Sequence, residues 1–546
     1  MRRRGRHDDR AAGTGAGLVV VSAGGKQYTG SSLVLAVLGA GQFLMTLDSS
    51  VMNVSMAQVA SDLGTTITGI QTAITLYTLV MATLMITGGK IGTILGRRRA
   101  FGIGLVIYGL GSSTTALAPN LPVLLIGWSL LEGIGAALIM PAIVALVAAN
   151  FAPERRPAAY GLIAASGAMA VAAGPLIGGA VTTFASWRYV FAGEVVIVIA
   201  ILFFLRRIAD VPAQKVHLDL PGAALSALGL GLVVFGVLRS SVWGWVRVRP
   251  DGPAILGLSP VFWLILGGLL VLWLFVRWQT RLARTGGQPL LDLTLLRNRQ
   301  LTGGLTMFLM QFMIQAGVFF AVPLFLSVVL ELSALGTGVR LLPLSLALLI
   351  AAVGIPKVWP HASPRRVVRL GLLSMLIGIV ILAAGMDPGA NAGVVAIPML
   401  LMGIGLGALS SQLGAVTVSA APDEKSPEVG GLQNTATNLG ASLGTALIGS
   451  ALIATLSSSA LTGILENPAV PPAVQQQATT ELSSGVAFVS DSQLTTALAE
   501  TNLDPGAQQA ILDVNADARL EALQAAFALA ALLTAGALFA SGRIRK

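Results

Sequence analysis

The chain has 546 residues, 55% of them hydrophobic and 11% charged, with a mean hydropathy of +0.81. Soluble domains carry about 25% charged residues, so a water-soluble globule is excluded, and so much apolar side chain equally excludes a disordered chain. The absence of cysteine removes disulfides, Cys-ligated zinc and thiol catalysis, while the formal charge of +10 must be judged by where the charges fall.

Residues 1–31 form a basic tail opening Met1-Arg2-Arg3-Arg4; its apolar piece Gly17–Val21 is short for a signal peptide, so a flexible cytosolic tail is expected. Apolar runs of about 18 to 28 residues follow, each able to cross a hydrocarbon layer ~30 Å thick. They lie at about 32–55, 67–89, 100–118, 122–149, 159–183, 188–205, 219–238, 258–276, 301–329, 335–356, 368–386, 392–420, 428–457 and 522–541. The short alternating segments of a transmembrane barrel are absent. The expected fold is an all-α polytopic membrane protein of about fourteen transmembrane helices. The long polar stretch 458–520, with possible short helices at 471–484 and 491–514, is expected as a solvated outer loop, and 542–546 as a second cytosolic tail.

Lys and Arg set the orientation, because loops rich in them stay in the cytosol. With the N-terminus inside, 28 of the 34 basic residues fall on the inner side, leaving Arg188, Arg239, Arg247, Arg249, Arg340 and Arg519 outside. The positive charge is thus largely a topology signal. Nucleic acid drops out as a partner, and a multi-pass protein of the cytoplasmic membrane with both termini cytosolic is expected.

Ionisable residues inside spans are costly and therefore point to function. Asp48 lies about 24 Å along the first span and Glu132 about 15 Å into the fourth, at 1.5 Å per residue. No basic partner is expected inside a span, so each carboxylate is poised to take up a proton. Glu194 stands about one turn inside the sixth span, where solvation alone could account for it, and Asp219 suits a helix cap. On the fifth span Ser166, Ala170, Gly174 and Gly178 recur every four positions, giving a smooth face, and Pro175 should kink the helix.

Several of these segments carry motifs. Leu47-Asp48-Ser49-Ser50-Val51-Met52-Asn53-Val54, Gly174-Pro175-Leu176-Ile177-Gly178-Gly179 and Trp187-Arg188-Tyr189-Val190-Phe191 are three. The turn Gly89-Lys90-Ile91-Gly92-Thr93-Ile94-Leu95-Gly96-Arg97-Arg98-Arg99 is the fourth. Together they resemble the fourteen-helix drug:proton antiporter branch of the major facilitator superfamily, over essentially all the spans. Three positions depart from that pattern. Thr93 replaces the usual Asp of the glycine/arginine turn, Ser129-Leu130-Leu131-Glu132-Gly133 lacks the usual helix 4 arginine, and Glu194 stands where Asn is usual.

The resemblance implies two six-helix bundles with inverted repeats, at 32–205 and 301–541, and a linker of 206–300 holding two extra helices. It implies a substrate site near the midplane, alternating access, and polar lining from Asn53, Tyr77, Gln311, Gln315 and Gln412. Gly89, Thr93, Gly96, Arg97 and Arg98, with Gly174, Pro175, Gly178 and Gly179, become the conformational motifs. Asp48, Glu132 and Glu194 become the proton-coupling candidates. No phosphate-binding G-x-x-x-x-G-K-[ST] occurs and the three His lie outside the spans, so no cofactor or metal is expected and a proton gradient is the energy source. The function expected is proton-coupled export of amphipathic, drug-like small molecules, cations among them, by a monomer in the bilayer. Lipid export or symport on the same fold is the alternative, and a polytopic membrane enzyme a remote one.

Overall fold

The computed structural model describes residues 22–23, 26–27, 31–152, 155–210, 213, 217–249, 252–359, 361–387, 391–418, 420, 426–481, 488–501 and 503–543. The N-terminal tail, apart from an antiparallel pair of two-residue strands (Ser22–Ala23 with Lys26–Gln27), and residues 544–546 lie outside them. Every other regular element among the described residues is helical. In chain order the helices are α1 (Ser32–Asp62), α2 (Ile67–Leu95), α3 (Arg97–Ala116), α4 (Leu121–Asn150), α5 (Arg156–Phe184) and α6 (Arg188–Phe204). There follow α7 (Leu220–Trp243), α8 (Pro260–Arg284), α9 (Arg299–Val329), α10 (Ala334–Val358), α11 (Pro364–Ala384) and α12 (Ala396–Val418). The last are α13 (Ser426–Glu466), the short α14 (Pro472–Glu481) and α15 (Asp491–Ala499), and α16 (Pro505–Ala540).

Among the described residues, length and apolarity qualify twelve helices as membrane spans, and a thirteenth, α5, if its two parts bent by 40° are taken as one. The expected count of fourteen also needs α3, whose Arg97-Arg98-Arg99 start and Gly-Ser-Ser-Thr-Thr end dilute its apolar middle. At 20 residues α3 is nevertheless about 30 Å long, and it packs along α4 and α6.

Side-chain caps satisfy the exposed amides at many helix starts. Ser31 accepts from Val34 N, Thr66 from Gly69 N and Asn120 from Val123 N. Gly96, at φ +93°, is the single residue between α2 and α3 and makes the turn from one to the other.

Helices α1–α6 form one bundle, and α9–α13 with α16 form another. The pairs α1–α5, α2–α4 and α3–α6 of the first recur as α9–α13, α10–α12 and α11–α16 of the second. Between them in sequence, α7 and α8 make a hairpin that leans on α13 and α2, with Ser450 Oγ donating to Val237 O (3.2 Å). The ends of the spans are the terminal face, where Ser32 and Ala540 lie, and the loop face, which carries α14 and α15.

Near the loop face hydrogen bonds tie the bundles together. Gln71 Nε2 donates to Thr445 O (3.2 Å) and Ser442 Oγ to Thr75 O (3.0 Å) between α2 and α13. Leu335 N donates to Thr183 Oγ1 (3.0 Å), and Ser345 Oγ to Val171 O (3.1 Å), between α10 and α5.

Hydropathy alone trimmed several helices too early. α1 continues to Asp62, α13 to Glu466, and α16 starts at Pro505 behind an Asp504 cap that accepts from Gly506 N and Ala507 N (3.1 Å each). The polar loop expected at 458–520 therefore shrinks to 467–504, because amphipathic turns extend helices past the apolar layer. Arg519, expected in that loop, is buried inside α16 at 1% exposure, against the expectation that no helix interior holds a base. It donates to Val328 O (3.3 Å), Val489 O (3.0 Å) and Asp491 Oδ1 (2.5 Å), so α15 is strapped to the end of α9. Glu331 completes the strap by accepting from Ser492 N (2.9 Å), a bond that holds its carboxyl below the ordinary value of 4.5. That contact thus stabilises the fold above the ordinary value and is lost as pH falls through the depressed one.

The second bundle closes by backbone contact, since a Cβ on Gly440 or Gly444 of α13 would collide with the carbonyls of Leu309 and Met313 on α9. Gly431 on the same helix faces open space. Gly444→Leu should therefore cost about 1–3 kcal/mol or more and lower the thermal unfolding midpoint in detergent, while Gly431→Leu stays near wild type. Equal midpoints for the two variants would show that α9 and α13 part without cost.

Candidate functional site: a carboxylate cluster and a glycine-proline seam

Helix α4 starts conventionally at the Asn120 cap and then winds as a π-helix over Leu125–Glu132. The wider turn re-aims side chains, which is why such turns gather at functional sites. Here it buries Trp128, Ser129 and Glu132 together. Glycines let α3 come close enough to meet them. A Cβ on Gly111 would strike Glu132 Cγ (2.6 Å) and Gly127 O (2.7 Å), and one on Gly127 would strike Thr115 Oγ1 (2.7 Å).

In this seat α1, α4 and α6 each deliver one acid. Asp48, Glu132 and Glu194 are buried, at 0%, 0% and 1% exposure, and each offers a carboxylate oxygen within 4.8 Å of the others. One oxygen of each is held by a donor. Trp128 Nε1 donates to Asp48 Oδ1 (2.7 Å), Thr115 Oγ1 to Glu132 Oε1 (3.2 Å), and Tyr108 Oη and Ser112 Oγ to Glu194 Oε2 (3.1 Å each). The second oxygens, Asp48 Oδ2, Glu132 Oε2 and Glu194 Oε1, have no donor. Among the described residues no ion pair reaches any of the three acids. Such a set can hold protons or one hard cation. Two unit charges about 5 Å apart repel by about 3 kcal/mol at an effective dielectric constant of ~20, so the group does not stay fully charged by itself.

Sequence reasoning placed Asp48 and Glu132 on cavity-lining helices, but their side chains point into the first bundle. The cleft between the bundles is a cavity of ≈ 10 Å³, room for about one water, lined by Ser50, Asn53, Val54, Pro175, Pro323 and Ser345 among others. Ser50, Asn53 and Val54 take one side of α1, and Asp48 with the buried Met45 and Met52 takes another. Glu194, which solvation alone could have explained, is a full member of the cluster. Trp128, Tyr108, Ser112 and Thr115 were missed; the indole at midspan on the helix of Glu132 was the available signal.

The expected polar lining separates. Asn53 faces the cleft. Tyr77 does not: it stacks on Trp128 (4.9 Å between centroids, 9° between planes), with its hydroxyl buried and unpartnered. Gln311 is buried inside the second bundle, where Nε2 donates to Ser410 Oγ (3.1 Å); Gln315 and Gln412 are half-buried, and Gln412 Nε2 donates to Ser411 Oγ (3.2 Å). Ser129, standing where an arginine is usual, donates to Ala73 O (2.9 Å) and so ties α4 to α2.

In the glycine/arginine turn, Thr93 supplies the acceptor the missing Asp would have been. Arg97 donates to Thr93 Oγ1 and Gly89 O (2.7 Å each), with its guanidinium against Gly92. Arg98 reaches past α6 to Asp210, whose Oδ1 accepts from the Arg98 amide (2.9 Å). These contacts brace the first bundle itself.

The motif on α5 works on two sides. Gly174 and Gly178 lie against Ser50 and Val51 of α1, with Val51 Cα 3.0 Å from a Cβ built at Gly178. Gly179 and Pro175 face α10, where Gly179 meets Ala334 O and Gly338 meets Pro175 O. Proline at 175 cannot donate to the carbonyl four residues back, and α5 bends between Ala165–Val171 and Ala173–Phe184. That carbonyl, Val171 O, takes its hydrogen bond from Ser345 of the other bundle.

A family model described as the Major Facilitator Superfamily matches residues 38–445. A cephamycin export protein, CmcT, of Amycolatopsis lactamdurans is 31% identical over 424 residues, 77% of this chain and 84% of that one. The multidrug resistance protein Stp of Mycobacterium tuberculosis (strain CDC 1551 / Oshkosh) is 26% identical over 455 residues, 82% and 81% of the two chains. Among solved structures, a bacterial homolog of the human lysosomal transporter Spinster, inward-facing and unoccupied, superposes with a TM-score of 0.60 at 13% identity, covering 94% of this chain and 97% of that one.

Removing the Ser345 hydroxyl orphans Val171 O, a loss of about 1–3 kcal/mol borne only while the loop face is shut. Ser345→Ala should therefore open it more often. In a chain with no native cysteine, Val54→Cys would then react faster with a polar maleimide in the Ser345→Ala background. An unchanged labelling rate would mean the freed carbonyl is not part of the latch.

Proposed function

Because the chain belongs to the major facilitator superfamily, whose members are transporters rather than enzymes, we propose that it exports amphipathic, drug-like small molecules, cations among them, in exchange for protons. The observation that carries the coupling is the buried group of Asp48, Glu132 and Glu194, with no base beside it among the described residues. The export direction and substrate class rest on the relatives, which are named for cephamycin export and multidrug resistance. The protein would be a multi-pass component of the cytoplasmic membrane with the terminal face in the cytosol, the arrangement that keeps 28 of 34 basic residues inside.

Because the acids face the bundle interior, protons act on packing rather than by displacing substrate from the same oxygens. With the cluster protonated, α1, α4 and α6 close around it, and the Trp128–Tyr77 stack and the Ser129 bond hold α2 in register. α2 carries the Gln71 and Thr75 contacts to α13, so the proton load biases the seam between bundles. Deprotonation restores the repulsion, loosens α1 and α4, and favours the other access state. A load that differs between access states couples the gradient to export without a nucleotide. Asn53, Gln315 and Gln412 are the polar candidates for substrate, and Gly89, Gly96, Arg97 and Arg98 keep the first bundle rigid while it rocks.

In proteoliposomes with an imposed pH gradient and a lipophilic cationic dye such as ethidium, Asp48→Asn, Glu132→Gln and Glu194→Gln should each slow export. At least one should do so by about tenfold or more, the worth of about 1.4 kcal/mol. The triple variant should be inactive to the gradient yet still inserted and monodisperse. Wild-type pH dependence in the triple variant would remove the cluster from the coupling scheme.

A further inference from the structure

The α7–α8 hairpin contributes nothing to the carboxylate cluster, yet its loop-face end is built in detail. α7 turns Val237 and Leu238 toward Ala446 of α13. Between α7 and α8 lies an apolar pocket of ≈ 310 Å³, lined by Leu232, Phe235, Trp243, Pro260, Trp263 and Leu264 among others. That is the lower end of the roughly 300–1,000 Å³ typical of small-molecule sites. At its rim the Arg239 guanidinium lies over the rings of Phe235 (5.4 Å) and Trp243 (5.6 Å), and its buried Nε has no hydrogen-bond partner. An unsatisfied buried donor is a standing cost unless a ligand meets it.

The loop after α7 folds back over this end, with Arg249 N donating to Trp243 O (3.4 Å) and Ser259 N to Val246 O (2.9 Å). It brings Arg247 and Arg249 with it. With Asp251, which lies outside the described residues, the segment 239–259 carries three arginines and one acid. Arginines here run against the usual bias that keeps basic residues at the other membrane face. The loop also leaves Trp245, Val246, Ile255 and Leu256 exposed, Leu256 at 85% and with a left-handed φ of +53°. Backbone strain that presents a leucine outward, among indoles and guanidiniums at the end of two spans, is the chemistry of the headgroup layer.

We infer that the loop-face end of the α7–α8 hairpin binds an anionic phospholipid, one acyl chain in the pocket and the phosphate on Arg239 and the loop arginines. Apolar volume alone would take any lipid tail. The unpaired guanidinium donor is what selects a negative headgroup, and arginine matches phosphate with paired N–H donors. The site is separate from the cluster and stands whether or not transport is proton-driven.

Native mass spectrometry of the full chain in neutral detergent tests it, with palmitoyl-oleoyl phosphatidylglycerol, palmitoyl-oleoyl phosphatidylcholine and glycerol 1-phosphate as probes. Phosphatidylglycerol should be retained over phosphatidylcholine by about fivefold or more, the worth of about one arginine at a charged headgroup. Arg239→Gln should erase that preference, and Leu232→Trp, which fills the pocket, should reduce retention of both lipids. If Arg239→Gln cannot be purified, Arg247→Gln at an exposed position should lower the preference in the same direction. Equal retention of the two lipids by wild type, a preference that survives in the arginine variants, or competition by glycerol 1-phosphate as strong as by the lipid would each overturn the assignment.

Discussion

Three carboxylates share one buried site of a membrane-spanning bundle, with no base among the described residues to balance them. A dry interior does not tolerate three unpaired charges, and the usual remedy in membrane proteins is an arginine or lysine on a neighbouring helix. This chain places its buried arginine elsewhere: Arg519 secures the α15 strap on the second bundle. On the proposed reading the acids take their compensation from protons that come and go, and their supports suit that duty. Each is steadied at one oxygen by Trp128, Thr115, Tyr108 or Ser112, and each keeps the other oxygen free. The donors fix positions without cancelling charge.

Close backbone packing is what makes such a cluster matter beyond its own helices. Gly111 and Gly127 leave no slack between α3 and α4, and Gly174 and Gly178 leave none between α5 and α1. Packed helices respond to a change in charge by moving as bodies, because interiors at this density do not deform smoothly. The seams between bundles are close-packed as well, with Gly179 against Ala334 O and Gly338 against Pro175 O, and they carry hydrogen bonds such as Gln71 to Thr445 O and Ser345 to Val171 O. Pro175 adds to the second seam by freeing a carbonyl which a serine of the opposite bundle then claims. Opening either seam therefore means parting packed backbones together with these bonds.

Much of this was legible in the sequence. Apolar runs gave the helices, and the Gly-Pro pattern on α5 was rightly read as a contact face with a bend. What hydropathy missed is the part of a helix that leaves the membrane, so α1, α13 and α16 run longer than their apolar cores and Arg519 moved from a loop into a helix. Asp48 and Glu132 could be singled out because charges in spans are rare. Their convergence with Glu194 could not, since it depends on a π-helical turn at Leu125–Glu132 that no local propensity announces. The same limit explains Tyr77 and Gln311, polar residues on the right helices whose side chains face bundle interiors instead of the cleft.

The central claim is that the proton load of Asp48, Glu132 and Glu194 sets whether the loop face is open. Since the chain has no cysteine, spin labels can be attached at Thr66→Cys, at the start of α2, and Leu465→Cys, at the end of α13. Their separation can then be measured by pulsed electron resonance across pH in lipid nanodiscs. The account predicts two distance populations whose ratio shifts with pH in the otherwise wild-type chain, and a ratio indifferent to pH when all three acids are replaced by their amides. A pH-dependent shift of the same size in the amide variant would contradict it.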